Sequence, residues 1–223
     1  MAETDIRKGL WLYRTVSTMV LVVAKVLCRI EIVGKENVPK HGPYVMAPVH
    51  RSNVDFALVS VVTRRRMRYM AKDSLWKSRL LGWFVGTLGA FPVRRGSADR
   101  EALHTCIELI EQGEPLVMFP EGTRRSGPVV EELFDGPVYV AGRTQVPIIP
   151  VGIGGSEAMM PRGSKLLRPV KLTLVVGAPI PPPVASDAGR VSRRAVKELT
   201  EKLRIEVQRC FDEAQQRAGR PHH

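Results

Sequence analysis

Pro48-Val49-His50-Arg51-Ser52-Asn53-Val54-Asp55 lies between two apolar runs, Tyr44-Val45-Met46-Ala47 before it and Phe56-Ala57-Leu58-Val59-Ser60-Val61-Val62 after it. The first run reads as a strand and the second as a helix reaching about residue 63. Ser52 is a good helix N-cap, and Asp55 follows three residues on, where a capping-box acid sits. The spacing predicts His50 at the mouth of a strand and Asp55 in the first turn of the next helix. A bend between them brings imidazole and carboxylate into contact. An imidazole held by a carboxylate is a general base, because the acid fixes the tautomer and stabilises the imidazolium. The same residues also suit an ordinary helix start in which Asp55 is only a cap.

Working outward, the chain alternates between the two periodicities. Residues 9–28 read as one helix whose uncharged run, Thr15 to Ala24, is about 15 Å long, roughly half a bilayer core and too short to span it. Trp11, Tyr13, Arg14 and Lys25 suit a helix lying in a membrane interface; an amphipathic helix packed on the domain reads the same way. No small-residue cleavage site follows, so the segment is not expected to be a signal peptide. Strands are expected at residues 29–33, 44–47, 69–72, 89–93, 116–119, 146–152 and 171–176. Pro147 and Pro150 argue against a regular central strand throughout the sixth of these. Helices are expected at 75–84, 98–111, 137–143 and 192–217, the last with Val196, Leu199, Leu203, Val207 and Phe211 on one stripe. Residues 179–184 form a proline-rich connector. This alternation predicts an α/β domain with a mostly parallel mixed sheet flanked by helices, at residues 29–217. The N-terminal helix (1–28) precedes it and a short disordered tail (218–223) follows.

Lys and Arg total 34 against 22 acids, a net charge of +12. Such an excess points to an anionic partner: nucleic acid, anionic lipid or a phosphorylated substrate. Aromatic residues are few and do not interleave with the basic ones, and no Cys/His metal spacing appears, so neither specific nucleic-acid binding nor a metal site is expected. The dense run Arg64-Arg65-Arg66-Met67-Arg68 suits either a solvated face or an anionic surface. Trp76 and Trp83 are either core residues or lipid contacts. Three well-separated cysteines, Cys28, Cys106 and Cys210, suggest free buried thiols in a reducing compartment. After the buried-type strand at 116–119 comes Pro120-Glu121-Gly122-Thr123-Arg124-Arg125. An acid, a hydroxyl and arginine forks directly after such a strand stand where open α/β sheets place ligands.

Four segments in order resemble the glycerolipid acyltransferases, in particular the bacterial 1-acylglycerol-3-phosphate (lysophosphatidate) acyltransferases. Residues 50–55 match the His-x4-Asp block. Gly89-Ala90-Phe91-Pro92-Val93-Arg94-Arg95-Gly96 resembles the second, Phe119-Pro120-Glu121-Gly122-Thr123-Arg124 the third, and Val146-Pro147-Ile148-Ile149-Pro150-Val151 the fourth. The resemblance covers about residues 30–180. It implies an O-acyltransferase of phospholipid biosynthesis that moves a fatty acyl group from acyl-CoA or acyl carrier protein to the free hydroxyl of 1-acylglycerol 3-phosphate. It needs no cofactor or metal. His50 would be the base, oriented by Asp55. Arg95 and Arg124 would clamp the acceptor phosphate, with Arg94 a second contact or a surface charge. Glu121 and Gly122, with Thr123 beside them, would position the glycerol part. The enzyme would be peripheral or monotopic on the cytoplasmic face of the cell membrane. Departures from the pattern are Val49 where Asn is common, Arg94 where an acid is common, and Asp135 where Lys often precedes Gly. They leave open another acceptor: glycerol 3-phosphate, another lysophospholipid or a glycolipid. A silent anionic-lipid-binding protein on the same fold is the alternative of another class.

Overall fold

The computed structural model describes residues 9–93, 100–164, 166–185 and 191–220. Seven strands form one sheet: β1 (Glu31–Val33), β2 (Val45–Pro48), β3 (Arg68–Lys72), β4 (Ala90–Val93), β5 (Leu116–Val117), β6 (Ile148–Gly154) and β7 (Thr173–Val176). Their spatial order is β1-β7-β6-β2-β5-β3-β4. The five strands from β6 to β4 run parallel, while β7 pairs with β6 antiparallel and β1 runs parallel to β7. The helices are α1 (Leu10–Cys28), α2 (Asp55–Ser60), α3 (Arg79–Thr87), α4 (Arg100–Glu111), α5 (Gly136–Thr144), α6 (Ser156–Met159) and α7 (Arg193–Arg217). Crossovers between parallel strands are right-handed as a rule, so those advancing in opposite directions lay their helices on opposite faces. Helices α1, α2 and α3 pack together on one face, and α4, α5 and α7 on the other.

Strand β6 is central, although two prolines argued against it. All seven of its residues are buried between β2 and β7. Pro147 precedes the strand. Pro150 removes one donor, but its carbonyl still accepts from the N–H of Gly177 at 2.9 Å. Glycines decide what covers β6. A Cβ at Gly152 would overlap the backbone of Cys210, and one at Gly154 the backbone of Ala214. Helix α7 therefore closes onto β6 at backbone distance. Val196, Leu203, Val207 and Phe211 of the expected stripe are buried, joined by Cys210 and Ala214. Ser192 caps this helix, its hydroxyl accepting from the N–H of Ala195 at 3.1 Å.

The N-terminal helix is where expected, but its 19 residues, with a mean hydropathy of 1.5 over an 18-residue window, are long and apolar enough to cross a membrane by length and composition. It is docked on the domain nonetheless. Tyr13, Ala24 and Cys28 are buried on one side, and the Tyr13 hydroxyl donates to the carbonyl of Arg65 at 3.2 Å. The other side exposes Trp11, Met19, Val22, Val26 and Leu27. The expected helix at 75–84 breaks into a 3-10 turn (Asp73–Lys77) and α3, with Ser78 capping α3. Trp83 is exposed and Trp76 half-buried.

The run at 64–68 is not a free basic patch. The Arg65 guanidinium donates to the carbonyls of Gly42 (2.6 Å) and Pro39 (3.3 Å). Arg66 is buried and reaches Glu114 at 3.4 Å. Burial, and secondarily the charge of Arg66, draws the pKa of Arg68 down. Arg68 opens β3, so the run lies at the amino ends of the parallel strands.

Replacing Gly154 by Ala forces α7 off β6. The expected result is a loss of about 2–3 kcal/mol, read as a lower urea midpoint at unchanged m-value. A midpoint within error of wild type shows that α7 tolerates the displacement.

Candidate active site

The site is built where β2 and β5, neighbours in the sheet, release their chains at the carboxyl end. Strand β2 ends at Pro48, and the loop that follows bends back before α2 starts at Asp55. His50 Nδ1 lies 2.9 Å from Asp55 Oδ2. The same oxygen accepts the N–H groups of Arg51 (2.7 Å) and Ser52 (2.6 Å). Asp55 is fully buried, and the His50 side chain is 15% exposed. Three donors thus converge on one carboxylate oxygen and hold it in place. With the carboxylate accepting from Nδ1–H, the lone pair sits on Nε2. That atom has no hydrogen-bond partner among the described residues. The His50 ring rests on Phe119, with centroids 4.1 Å apart and planes tilted by 30°.

Ser52 is not the expected helix cap. Val54 occupies that position without a side-chain bond, and the Ser52 hydroxyl donates to the carbonyl of Met160 at 2.9 Å. The roles are reversed: Asp55 serves the backbone of Arg51 and Ser52, which fixes the loop around the imidazole.

Beneath this pair lies a second one. Arg51 is 2% exposed and Glu121 fully buried. Arg51 Nη1 stands 2.7 Å from Glu121 Oε1 and 2.8 Å from Oε2. Glu121 Oε2 also accepts the His50 N–H at 2.8 Å, while the His50 carbonyl accepts from Arg51 Nη1 (3.2 Å) and from the N–H of Arg125 (3.0 Å). Both backbone groups of His50 are therefore fixed. The rest of the guanidinium is spent on carbonyls of the loop after Glu121: Nε donates to Gly127 (3.2 Å) and Nη2 to Val129 (3.0 Å). Its Cζ lies 4.9 Å from the centroid of the Phe211 ring on α7. That loop is tied to α7 again, because Gln208 accepts from the N–H of Val130 at 2.6 Å and donates to the carbonyl of Pro128 at 3.0 Å.

The expectation that the Glu121 carboxylate meets the acceptor's glycerol part does not fit this burial. Both of its oxygens are engaged from within, by Arg51 and by the His50 N–H. Gly122 has φ +66°, a left-handed turn that a side chain would strain. A Cβ there would come within 2.6 Å of the Phe134 ring. Thr123 is exposed on the same turn. Arg124 is half-buried and makes no ion pair or hydrogen bond among the described residues, whereas Arg125 pairs with Glu131 at 3.1 Å. Arg94 and Arg95 lie outside the described residues. Asp135 anchors α5 to α7 by accepting from the Thr200 hydroxyl at 2.9 Å. The apolar fourth block supplies β6, which pairs with β2. Sequence reasoning missed Arg51, Phe119 and Phe211. Arg51 stood inside the first block as a filler position, and all its side-chain partners but the His50 carbonyl lie 70 or more residues away. Among the described residues no group of three or more His, Cys, Asp or Glu side chains is placed to hold a metal.

The sequence model of the family described as Acyltransferase matches residues 29–154, more than half of the chain. The 1-acyl-sn-glycerol-3-phosphate acyltransferase of Bacillus subtilis is 29% identical over 170 residues, which are 76% of this chain and 82% of that protein. The protein of the same name from Chlamydomonas reinhardtii is 30% identical over 161 residues, 69% of this chain and 47% of its own length. Among solved structures, the 1-acyl-sn-glycerophosphate (LPA) acyltransferase PlsC from Thermotoga maritima superposes with a TM-score of 0.75. It covers 96% of this chain and 83% of its own, at 24% identity, and so shares the fold. The matched region begins just before β1 and ends with β6, enclosing both the His50–Asp55 pair and the turn at Glu121, and the chain belongs to the acyltransferase family.

Proposed function

We propose that this chain transfers a fatty acyl group from a thioester, acyl-CoA or acyl carrier protein, to the free hydroxyl of 1-acylglycerol 3-phosphate. The observation that carries this reading is the His50–Asp55 pair, with Nδ1 held by a fully buried carboxylate and Nε2 left without a partner among the described residues. The names of the relatives support the acceptor. Nε2 takes the proton of the acceptor hydroxyl as its oxygen attacks the thioester carbonyl. The C–S bond breaks, and the imidazolium returns the proton to the departing thiolate. A thiol with pKa of about 8.5 leaves readily, so one base serves both steps. Ser52 is no nucleophile here, because its hydroxyl is buried and committed to Met160.

Arg124, without a partner among the described residues on the turn after Glu121, and Arg95 are assigned to the acceptor phosphate. Arg94 stands beside Arg95 in the sequence. Thr123 and the backbone at Gly122 face the same ligand. The reaction then needs positioning and a base, with no cofactor. Location follows from the surface. Helix α1 and helix α3 pack together and turn Trp11, Met19, Val22, Val26, Leu80 and Trp83 outward. An apolar face of this kind lies in a membrane interface. The three cysteines are free and buried, which suits a reducing, cytoplasmic side.

Thiol release from palmitoyl-CoA with lysophosphatidate as acceptor tests the chemistry. His50→Ala is expected to lower turnover about a thousandfold while melting like wild type; appreciable turnover removes His50 from the role of base. No acceptor-dependent release by wild type with any lysolipid overturns the enzymatic reading in favour of lipid binding. Arg124→Ala is expected to raise the acceptor KM at least tenfold with kcat little changed; an unchanged KM assigns Arg124 to the surface. Glu121→Gln leaves the Arg51 charge buried without its partner and is expected to cost about 3–5 kcal/mol in urea unfolding. Stability close to wild type with a raised acceptor KM would instead return Glu121 to the substrate.

A further inference from the structure

We propose that residues 161–164 and 166–168 form a second membrane contact, with Leu166 and Leu167 seated in an anionic phospholipid surface beside the catalytic rim. The proposal rests on the membrane location inferred above and adds to it where and how the rim meets lipid.

Three observations carry it. The first is exposure. Leu166 is 77% and Leu167 57% exposed, consecutive leucines on the tip of an excursion that nothing in the fold covers. The excursion is closed at its base, where the N–H of Arg168 donates to the carbonyl of Met159 at 2.9 Å. Within it, the Ser164 N–H donates to the carbonyl of Pro161 at 2.9 Å. The Ser164 hydroxyl bonds both the N–H and the carbonyl of Leu166 at 3.1 Å. A tip with several of its backbone polar groups partnered internally loses less on entering an apolar medium than an open loop does.

The second is charge. Arg162 and Arg168 flank the leucines, are exposed and make no ion pair among the described residues. Leucines ringed by free arginines match an interface of acyl chains beneath anionic headgroups. The third is place. The Met160 carbonyl at the base of the excursion accepts the Ser52 hydroxyl of the catalytic loop, so tip and base residue are anchored to one another. The chain returning from the tip reaches Leu172, whose N–H donates to the carbonyl of Cys28 at the end of α1. The last turns of α1 expose Val22, Val23, Val26 and Leu27. Leucine tip, α1 terminus and catalytic loop therefore share one corner. Two apolar points there fix the tilt of the domain as well as its attachment, and hold the His50 rim against the plane from which a lysolipid arrives. The arginine run at 64–68 lies at the opposite ends of the strands, with Arg65 and Arg66 engaged internally, and has no part in this contact.

The test is Leu167→Cys carrying a nitrobenzoxadiazole label. The native cysteines do not compete, since all are buried and burial pushes the thiols of Cys106 and Cys210 up to about 12 and about 11. On phosphatidylcholine vesicles containing phosphatidylglycerol, the label is expected to brighten severalfold and shift to the blue, much less without phosphatidylglycerol. Leu166→Ser with Leu167→Ser is expected to weaken vesicle partitioning about tenfold while leaving turnover of a short-chain acceptor in detergent unchanged. An unresponsive label on protein that still co-sediments with vesicles overturns the tip contact and leaves the membrane location standing. Failure of wild type to co-sediment overturns both. Brightening with protein concentration in the absence of vesicles assigns the tip to self-association and overturns the lipid assignment.

Discussion

The guanidinium of Arg51 and the carboxylate of Glu121 are the contact on which the rest of the site depends. Two ions removed from water are costly, and their attraction offsets that cost only when further hydrogen bonds occupy what remains of each. Here they do. Glu121 uses its second oxygen on the backbone of His50, and Arg51 uses its other nitrogens on the loop after Glu121. The pair thus converts a desolvation cost into a fixed geometry for the residue it surrounds. The imidazole is gripped from three sides: Asp55 at Nδ1, Phe119 on a ring face, and this ion pair at the backbone. Only Nε2 is left without a protein partner among the described residues, which is the condition for a base that acts on something brought from outside.

The sheet explains why such a site can stand at an apolar surface. Strands β2 and β5 end together, so two loops distant in sequence meet at one rim. Helices α1 and α3 on one face leave their outer sides apolar, whereas α7 on the other face is charged, its outer side laced by pairs such as Arg194–Glu198 and Arg217–Glu213. The molecule is two-sided by construction, and the catalytic rim lies where the two sides meet the ends of the strands.

Much of this was legible in the residues. His50 and Asp55 were readable as a pair because their spacing spans a strand end and a helix start, both marked by local apolar pattern. The long α7 and its apolar stripe were readable for the same reason. What could not be read depends on distant partners. Ser52 has the chemistry of a cap, yet Met160 takes its hydroxyl. Glu121 has the chemistry of a ligand, yet Arg51 holds it inside. The run at 64–68 has the composition of a solvated patch, yet Glu114 and the carbonyls of Pro39 and Gly42 engage it. Pro150 argued against a central strand on local grounds, but the ladder tolerates one missing donor when the neighbouring carbonyl is still used. In each case the local rule held and a tertiary contact overrode it.

The Phe211 ring against Arg51 has a consequence for the order in which the protein becomes competent. The His50 loop lies in the first quarter of the chain, but the Phe211 ring that packs on its Arg51 is supplied far later in the sequence. Strand β7, which pairs with β1, is likewise made late. During synthesis the N-terminal helix and the His50 segment leave the ribosome long before α7 does. Until then Arg51 and Glu121 face water, and the loop around His50 lacks its backing. The loop around His50 therefore gains its full set of contacts only when α7 has been made.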